Sequence, residues 1–376
     1  MIFGAAALAD EAADMQEAKQ LADQTGKLIL MEFQREDCDH CAAAKQAAQQ
    51  DGLVKVALGA VIHLPIDVLS ESGKAVAESY HIGYSYPAYL LADKEAREIT
   101  RWVGFTTSDD FVNSLSQATR DLTTVPEREA RLKQQPNLGD AAYLGLYYYN
   151  TRQYLKSAEA YRQAQSMPQN RMDYSYRIFQ SLLEACWNGD LPFDSVMAAV
   201  DTVMAHNGAN SKNTARAVSF LTRLARRTGD TDRIARYLDS GMVATARMND
   251  QEGKSLHISL LADYALHIKH DTATALELKQ KDLGTGWETD PQRYFQFGQW
   301  CLERGINLEQ AEKYVRQAAN LASGGKFKAM NLRVLADIVH ARGRTKEAMG
   351  ILQEAMDLDP ANAWYEKRFE EMQAGL

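Results

Sequence analysis

Two cysteines spaced C-x-x-C are the residues of this chain best suited to covalent chemistry. Cys38 and Cys41 follow an apolar, strand-like run at 28–33 and open an alanine-rich segment that predicts a helix. At a helix N-terminus, unpaired backbone N–H groups and the positive end of the helix dipole favour a thiolate over a thiol at Cys38. Cys41, one turn further along, is placed to close or release a disulfide with it. The spacing therefore predicts thiol–disulfide exchange, with one attacking and one resolving thiol.

The surrounding sequence resembles the active-site segment of thioredoxin-like proteins. Glu32 lies six residues before Cys38, where that family carries a buried acid that passes a proton to its second cysteine. Tyr86 and Pro87 resemble the segment with the family's cis-proline, and Gly104 resembles the glycine that ends its last hairpin. The resemblance implies a thioredoxin-like fold in which the first cysteine is the nucleophile. It also implies a backbone edge at Tyr86 and Pro87 that pairs with an extended substrate peptide.

The motif departs from the thioredoxin pattern at three positions. Asp37 stands where the family has tryptophan, and Asp39 and His40 replace Gly-Pro between the cysteines. With an imidazole inside it, the motif resembles that of the disulfide isomerases and periplasmic oxidases, in which the imidazole stabilises the thiolate. Glu36, Asp37 and Asp39 add negative charge that opposes thiolate formation at Cys38. These effects have opposite signs, and the redox potential and the direction of electron flow stay open.

Each of these residues also has a structural alternative. Free cysteines are usually small buried hydrophobes, and that interpretation is the better one for Cys186 and Cys301, which stand alone in helical sequence. Cys38, His40 and Cys41 would make a poor zinc site without a second ligand cluster. The sequence therefore predicts no metal and no cofactor.

For both Glu32 and Tyr86, the sequence allows either a role in the chemistry or a role in packing. A carboxyl on a central strand must be paired, hydrated or protonated, because burying it as a lone charge is costly. Glu32 is either the proton acceptor for the resolving thiol or part of an ion pair with Lys45 or Lys55. Tyr86 either contacts substrate or packs on the sheet.

Around the cysteines, predicted strands interleave with predicted helices, which indicates an α/β domain. This thioredoxin-like domain is expected over 10–122, with a linker at 123–137. From 138 to 376 strand signals disappear, and the pattern predicts helix after helix. The fold class predicted is an α/β thioredoxin-like domain followed by an all-α helical repeat array.

The C-terminal helices resemble tetratricopeptide repeats (TPR), which have a period of 34 residues. The most regular unit lies near the C-terminus, and further units are expected at 143–164, 295–318 and, in part, 261–278. Such repeats stack because one unit alone cannot bury its apolar face, and the family's stacked hairpins bind peptides or partner domains. The residues of the most regular unit are Leu332, Leu335, Ala336, Val339, Gly343, Ala348, Leu352, Ala355 and Pro360.

Composition excludes some function classes. The net charge of −8 is concentrated in residues 1–125, which hold 19 of the 50 acidic residues and 10 of the 42 basic ones. An acidic face argues against a nucleic-acid partner. No stretch approaches the ~20 apolar residues that a membrane-spanning helix needs.

The opening segment is interpreted as the end of a signal peptide. Ala7-Leu8-Ala9 followed by acidic residues matches a secretory cleavage pattern, although a basic start and most of the apolar core are missing. This favours a periplasmic or secreted location. The alternative is the N-terminal helix of a cytoplasmic protein.

Together these patterns predict a thiol–disulfide oxidoreductase, that is, a protein disulfide reductase or a related enzyme. Its partners would be protein disulfide substrates, a redox partner protein, and a peptide or protein bound by the repeats. The alternative from another class is a non-enzymatic adaptor that keeps the thioredoxin fold for protein–protein interaction.

Overall fold

The computed structural model of the chain describes residues 10–11, 13–83, 85–207, 212–246, 248–360 and 362–375. The chain forms two compact units, Met1–Ala185 and Cys186–Leu376. The signal-peptide interpretation concerns Ala7–Ala9, which lie outside the described residues. Among the described residues, no helix combines the length and the hydropathy needed to cross a membrane.

The first unit begins with alternating strands and helices. Five strands form one sheet in the order β1-β3-β2-β4-β5, in which β3 runs parallel to β1 and β2, and β4 runs antiparallel to β2 and β5. This mixed sheet agrees with the α/β expectation. The elements are β1 (Asp10–Glu11), α1 (Met15–Thr25), β2 (Leu28–Gln34), α2 (Asp39–Gln50), α3 (Gly52–Leu58), β3 (Val61–Asp67), α4 (Glu71–Ser79), β4 (Ala88–Ala92), β5 (Glu98–Val103) and α5 (Ser108–Ala118).

Side chains alternate along β2 between two apolar layers, because successive strand residues point to opposite faces. Ile29, Met31 and Phe33 pack with α1 and α4. Leu30 packs on the other face, with α2, α3 and α5. Glu32 has the same parity as Leu30, so it lies on the face that α2 covers.

Four helices complete the first unit. Helix α6 lies within the segment 123–137 that was expected as a linker, and α7 reaches the sheet, where the Tyr143 hydroxyl donates a 2.6 Å hydrogen bond to the Ile99 carbonyl of β5. The helices are α6 (Val125–Gln134), α7 (Leu138–Asn150), α8 (Tyr154–Ser166) and α9 (Ser175–Trp187), which continues past residue 185.

A buried carboxylate ties α6 to α7. Asp140, 1% exposed, accepts hydrogen bonds from Arg128 at 3.1 Å, Arg131 at 2.7 Å and Asn137 at 2.6 Å. Burial alone would raise the pKa of Asp140, but the hydrogen bonds from Arg131, Asn137 and Arg128 outweigh it and lower the pKa. The charge at Asp140 is therefore held between fixed cations.

Helices α7 and α8 form the first hairpin of the helical array. Gly145 lies against the Tyr161 ring, and a Cβ at that position would come within 2.7 Å of ring carbons. The Ser157 hydroxyl donates to the Gly145 carbonyl at 2.7 Å. A small residue at 145 thus permits the close approach of the two helices.

The second unit continues the array. The C-terminal repeat predicted from the sequence corresponds to α17 and α18, where Leu332, Leu335 and Ala336 are buried against the second helix. Gly343 turns the chain between them with a φ of 82°. The helices are α10 (Phe193–Asn207), α11 (Lys212–Thr228), α12 (Ala235–Thr245), α13 (Gln251–His267), α14 (Thr272–Asp282), α15 (Pro291–Arg304), α16 (Leu308–Leu321), α17 (Gly325–Ala341), α18 (Thr345–Leu358) and α19 (Ala363–Ala374).

Candidate active site

Cys38 and Cys41 are joined by a disulfide at the start of α2. Their Cα atoms are 5.2 Å apart, and Cys38 is the N-cap residue of the helix. The Cys41 backbone N–H points at Cys38 Sγ over 3.1 Å. Cys41 is 3% exposed, whereas Cys38 is half-buried. Cys38 is therefore the sulfur that an external thiol can approach, and the Cys41 N–H would stabilise a thiolate there after reduction.

The predicted proline segment lies beside this disulfide. The Tyr86–Pro87 peptide bond is cis, and the Tyr86 carbonyl oxygen lies 3.5 Å from Cys38 Sγ. The Pro87 carbonyl accepts a 2.8 Å hydrogen bond from the Gly104 N–H, which ties this segment to the end of β5. Tyr86, 48 residues away in sequence from Cys38, and the following Pro87 are thus brought next to the sulfur. Their substrate-binding role stays a prediction.

Glu32 lies in a buried polar group on the α2 side of the sheet. It is 6% exposed, and its Oε2 lies 2.7 Å from His63 Nε2. The Tyr89 hydroxyl, from the residue directly opposite on β4, donates to Glu32 Oε1 over 3.2 Å. The alternative of an ion pair with Lys45 or Lys55 is not what the structure shows, because both lysines are exposed and the imidazole and phenol satisfy the carboxyl.

Tyr89 is held as a hydrogen-bond donor. Burial raises the pKa of Tyr89, and the adjacent Glu32 carboxylate raises it further. Its ring stacks on Trp102 with centroids 5.2 Å apart. The phenol therefore stays protonated and keeps its hydrogen bond to Glu32.

His63 is the site residue that sequence reasoning missed. It pairs with Leu30 in the parallel ladder of β2 and β3, so it points to the same face as Leu30 and Glu32. The signal was present in the sequence, since His63 interrupts a predicted buried strand. Only the register of that strand against β2 shows that its ring reaches Glu32.

The charged residues around Cys38 are only partly compensated. Arg35 forms a two-pronged ion pair with Asp37, and its Nη2 lies 2.7 Å from Asp37 Oδ2. Glu36, Asp39 and His40 are exposed. The described residues bring no hydrogen-bond partner to the His40 ring, and its effect on the thiolate stays a prediction. Nowhere in the described ranges do three or more His, Cys, Asp or Glu side chains converge on a possible metal position.

The two remaining cysteines lie in the core. Cys186 and Cys301 are buried free thiols, as expected from their isolated positions. Burial raises the pKa of Cys301 to about 12, and burial likewise raises the pKa of Cys186. Neither thiol is placed to react with a disulfide in solution.

A groove of about 910 Å³ lies between α6 and α8, over α7. Leu132, Leu144, Tyr148 and Leu155 contribute its apolar surface, and Lys133 lies at its edge. The sequence did not indicate this groove, because α6 falls in a segment expected as a linker.

No protein-family model matches the sequence, and the curated proteins compared with it give no significant match. Among solved structures, a thioredoxin from Thermus thermophilus aligns with 30% of this chain and 88% of its own, at 21% identity and a TM-score of 0.27. YrrB, a TPR protein with an unusual peptide-binding site, aligns over 57% of this chain and 99% of its own, at 15% identity and a TM-score of 0.30. The TPR2AB domain of yeast Sti1, solved in complex with pHSP90, aligns over 62% and 96% respectively, at 13% identity and a TM-score of 0.24.

Structures similar to parts of this chain thus include a thioredoxin and two TPR proteins. In the chain itself, a mixed sheet with helices around it carries the Cys38–Cys41 pair, and paired helices follow. The chain has a thioredoxin-like α/β fold followed by a TPR-like array of helices.

Proposed function

We propose that this protein is a thiol–disulfide oxidoreductase that exchanges disulfides with protein substrates through Cys38 and Cys41, while its helical repeats bind a partner. The proposal is supported above all by the placement of the two sulfurs. Cys38 is half-buried, and its Sγ receives a backbone N–H and lies beside the Tyr86–Pro87 segment, whereas Cys41 is buried. An attacking and a resolving thiol need that asymmetry.

In the reducing direction the exchange has two steps. The Cys38 thiolate attacks one sulfur of a substrate disulfide, so the substrate S–S bond breaks, a mixed disulfide forms, and the leaving substrate thiolate takes up a proton. Cys41 then loses its proton, with Glu32 as the acceptor, and attacks Cys38 Sγ. The mixed disulfide breaks, the second substrate sulfur leaves as a thiolate that takes up a proton, and the Cys38–Cys41 disulfide forms.

Two electrons pass from the protein dithiol to the substrate in this sequence. A dithiol of a redox partner must then reduce Cys38–Cys41 again by the same exchange. The reverse steps oxidise a substrate dithiol, and the potential of the pair sets which direction runs. The chemistry uses only sulfur and proton transfer, and the proposal includes no cofactor.

Insulin reduction with dithiothreitol as the electron source tests this proposal. We expect Cys38→Ser to abolish turnover and Cys41→Ser to accumulate a mixed disulfide with the substrate. The matched control is the Cys186→Ser/Cys301→Ser double variant, which should keep wild-type activity. If the wild-type protein exchanges with no disulfide across a wide range of redox buffers, the proposal is wrong.

The second candidate is a non-enzymatic adaptor, favoured by the exposed Glu36 and Asp39 beside Cys38. Their charge opposes a thiolate, and the Arg35 pair offsets only Asp37. Alkylation of the reduced protein by iodoacetamide separates the two candidates. Fast reaction of Cys38 well below pH ~8.5, the value for an ordinary thiol, supports the enzyme. Reaction only near that pH supports the adaptor.

A further inference from the structure

We propose that Trp187, Arg223 and Arg227, here called the Trp187 clamp, form a docking surface for an acidic segment of a partner protein. The inference rests on one part of the proposed function, the binding of a partner by the helical repeats, and it says where on the repeats that partner binds. Its evidence lies entirely in the second unit and is independent of the cysteines.

The clamp arginines differ from the other arginines of their unit. Within the described part of 186–376, each other arginine forms an ion pair with a carboxylate of the same unit. No such pair joins Arg223 or Arg227 to a described carboxylate. Among the described arginines of this unit, these two therefore carry the positive charge that has no carboxylate counter-ion.

Both guanidinium groups lie over one indole ring. The Cζ atoms of Arg223 and Arg227 are 5.6 and 5.2 Å from the Trp187 ring centroid, and both arginines are exposed. Like charges at i and i+4 on a helix repel each other, and a shared aromatic face offsets part of that cost. The arrangement holds two cations side by side at the surface.

Two other stacked arginines show what the clamp lacks. Arg304 lies over Trp300 and Arg333 over Trp364. Each of these is also paired with a buried aspartate, Arg304 with Asp263 at 2.6 Å and Arg333 with Asp337 at 3.3 Å. The clamp has the stacking without the carboxylate, and we infer that the partner supplies the carboxylate.

An apolar side chain lies on the same face of α11. Phe220 precedes Arg223 by three residues and Arg227 by seven, so the three share one helix face. Its side chain is 38% exposed, unusual for a phenylalanine of this array. The surface therefore fits a segment with carboxylates for the two guanidinium forks and an apolar residue for Phe220.

The charge pattern favours a protein over a nucleic acid. Lys212 and Arg216 on the same helix are paired with Glu252, and Arg226 is paired with Asp263. The helix therefore offers two uncompensated arginines and no continuous basic track along which a phosphate backbone could lie. The whole chain also carries a net charge of −8.

Fluorescence anisotropy with a labelled peptide of alternating Glu and Leu, on the full-length protein, tests the clamp. Each of Arg223→Gln and Arg227→Gln should weaken binding about tenfold, the factor that 1.4 kcal/mol represents. Arg236→Gln is the control, because Arg236 is also exposed but is paired with Asp201 at 2.9 Å, and it should leave binding unchanged. Peptide binding should also change the intrinsic fluorescence of the protein, and Trp187→Phe should remove that change.

Three results would overturn the inference: unchanged peptide binding by the double arginine variant, equal binding of a peptide with Gln in place of Glu, and tighter binding of single-stranded DNA than of the acidic peptide. Exchange of the Cys38–Cys41 pair with a small-molecule disulfide should be the same in all clamp variants. Failure of the clamp and failure of the redox proposal are therefore separate results, and far-ultraviolet circular dichroism confirms that each variant is folded.

Discussion

Two buried carboxylates in the first unit have opposite surroundings. Glu32 on β2 is 6% exposed and Asp140 on α7 is 1% exposed. Asp140 accepts hydrogen bonds from two arginines and an asparagine. Glu32 is contacted by an imidazole and a phenol, His63 and Tyr89. The first carboxylate is surrounded by permanent cations, and the second by an imidazole and a neutral phenol.

This difference separates a structural charge from a chemical one. An arginine keeps its proton at every pH that a protein tolerates, so Asp140 is fixed as an anion and joins α6 to α7. The described contacts of the Glu32 carboxyl are the His63 imidazole and the Tyr89 phenol, so no guanidinium fixes its charge. Substitution of the first carboxylate should therefore affect stability, and substitution of the second should affect the reaction.

The largest effect expected is that of Asp140→Ala. It leaves Arg128 buried with a single, largely exposed partner, Asp121, and breaking a buried ion pair in this way costs about 3–5 kcal/mol. Urea denaturation measures the loss. The control is Asp23→Ala, because the Asp23–Lys94 pair is exposed and screened by solvent, so its loss should change stability little. Equal effects of the two variants would contradict the structural role of Asp140.

The Asp140 cluster also predicts how stability depends on pH. The pKa of Asp140 is lowered, so at mildly acidic pH the unfolded chain takes up a proton that the folded chain does not. The stabilisation is complete above the ordinary aspartate range near pH ~4 and is lost as the pH falls through the lower pKa. The stability difference between wild type and Asp140→Asn should shrink between pH 5 and pH 2; a constant difference would be contrary to this prediction.

Glu32→Gln should have the next largest effect, and the effect should be on the rate at which the mixed disulfide is released. The amide keeps the shape and a carbonyl acceptor for Tyr89 but cannot take the proton of Cys41. Proton transfer by a positioned group contributes about 100-fold or more, so release of the mixed disulfide should slow by about that factor. Quenched-flow measurement of that step checks it. A wild-type rate would show that Glu32 is structural, like Asp140.

His63→Leu sharpens the comparison with a smaller effect on stability. The variant leaves Glu32 Oε2 buried without its 2.7 Å contact, and an unsatisfied buried acceptor costs about 1–3 kcal/mol. The Glu32→Leu/His63→Leu double variant should recover most of that loss, because both polar groups are then absent. Thermal unfolding of the single and double variants measures the coupling. Additive losses would mean that the two side chains do not interact.

The sequence predicted the parts of the site that depend on local order. The C-x-x-C spacing after an apolar run placed Cys38 at the N-cap of α2, and the later proline segment proved to lie beside it. Small residues at helical spacing likewise predicted the hairpins, as Gly145 under Tyr161 shows. Such patterns are visible because each feature is set by residues close in the chain.

The missed features depend on charged residues that pair across elements. His63 meets Glu32 only through the register of two parallel strands, which periodicity does not specify. Charged residues such as Arg128 and Asp140 are typical of an exposed helix face. Both are nevertheless buried, because the charge of each neutralises that of the other. The segment 123–137 was expected as a linker from its prolines and polar residues, and α6 lies within it.

The contact between Tyr143 and Ile99 has a consequence for how this protein can be shortened. Strand β5 is the last strand of the sheet, and a bare outer strand is a template on which other chains can assemble. The Tyr143 hydroxyl of α7 donates a hydrogen bond to one carbonyl of β5. Arg97, just before β5, lies 3.8 Å from Glu127 of α6. Cutting the chain at residue 122 would strip away this cover, and the isolated sheet would then be prone to self-association along that strand.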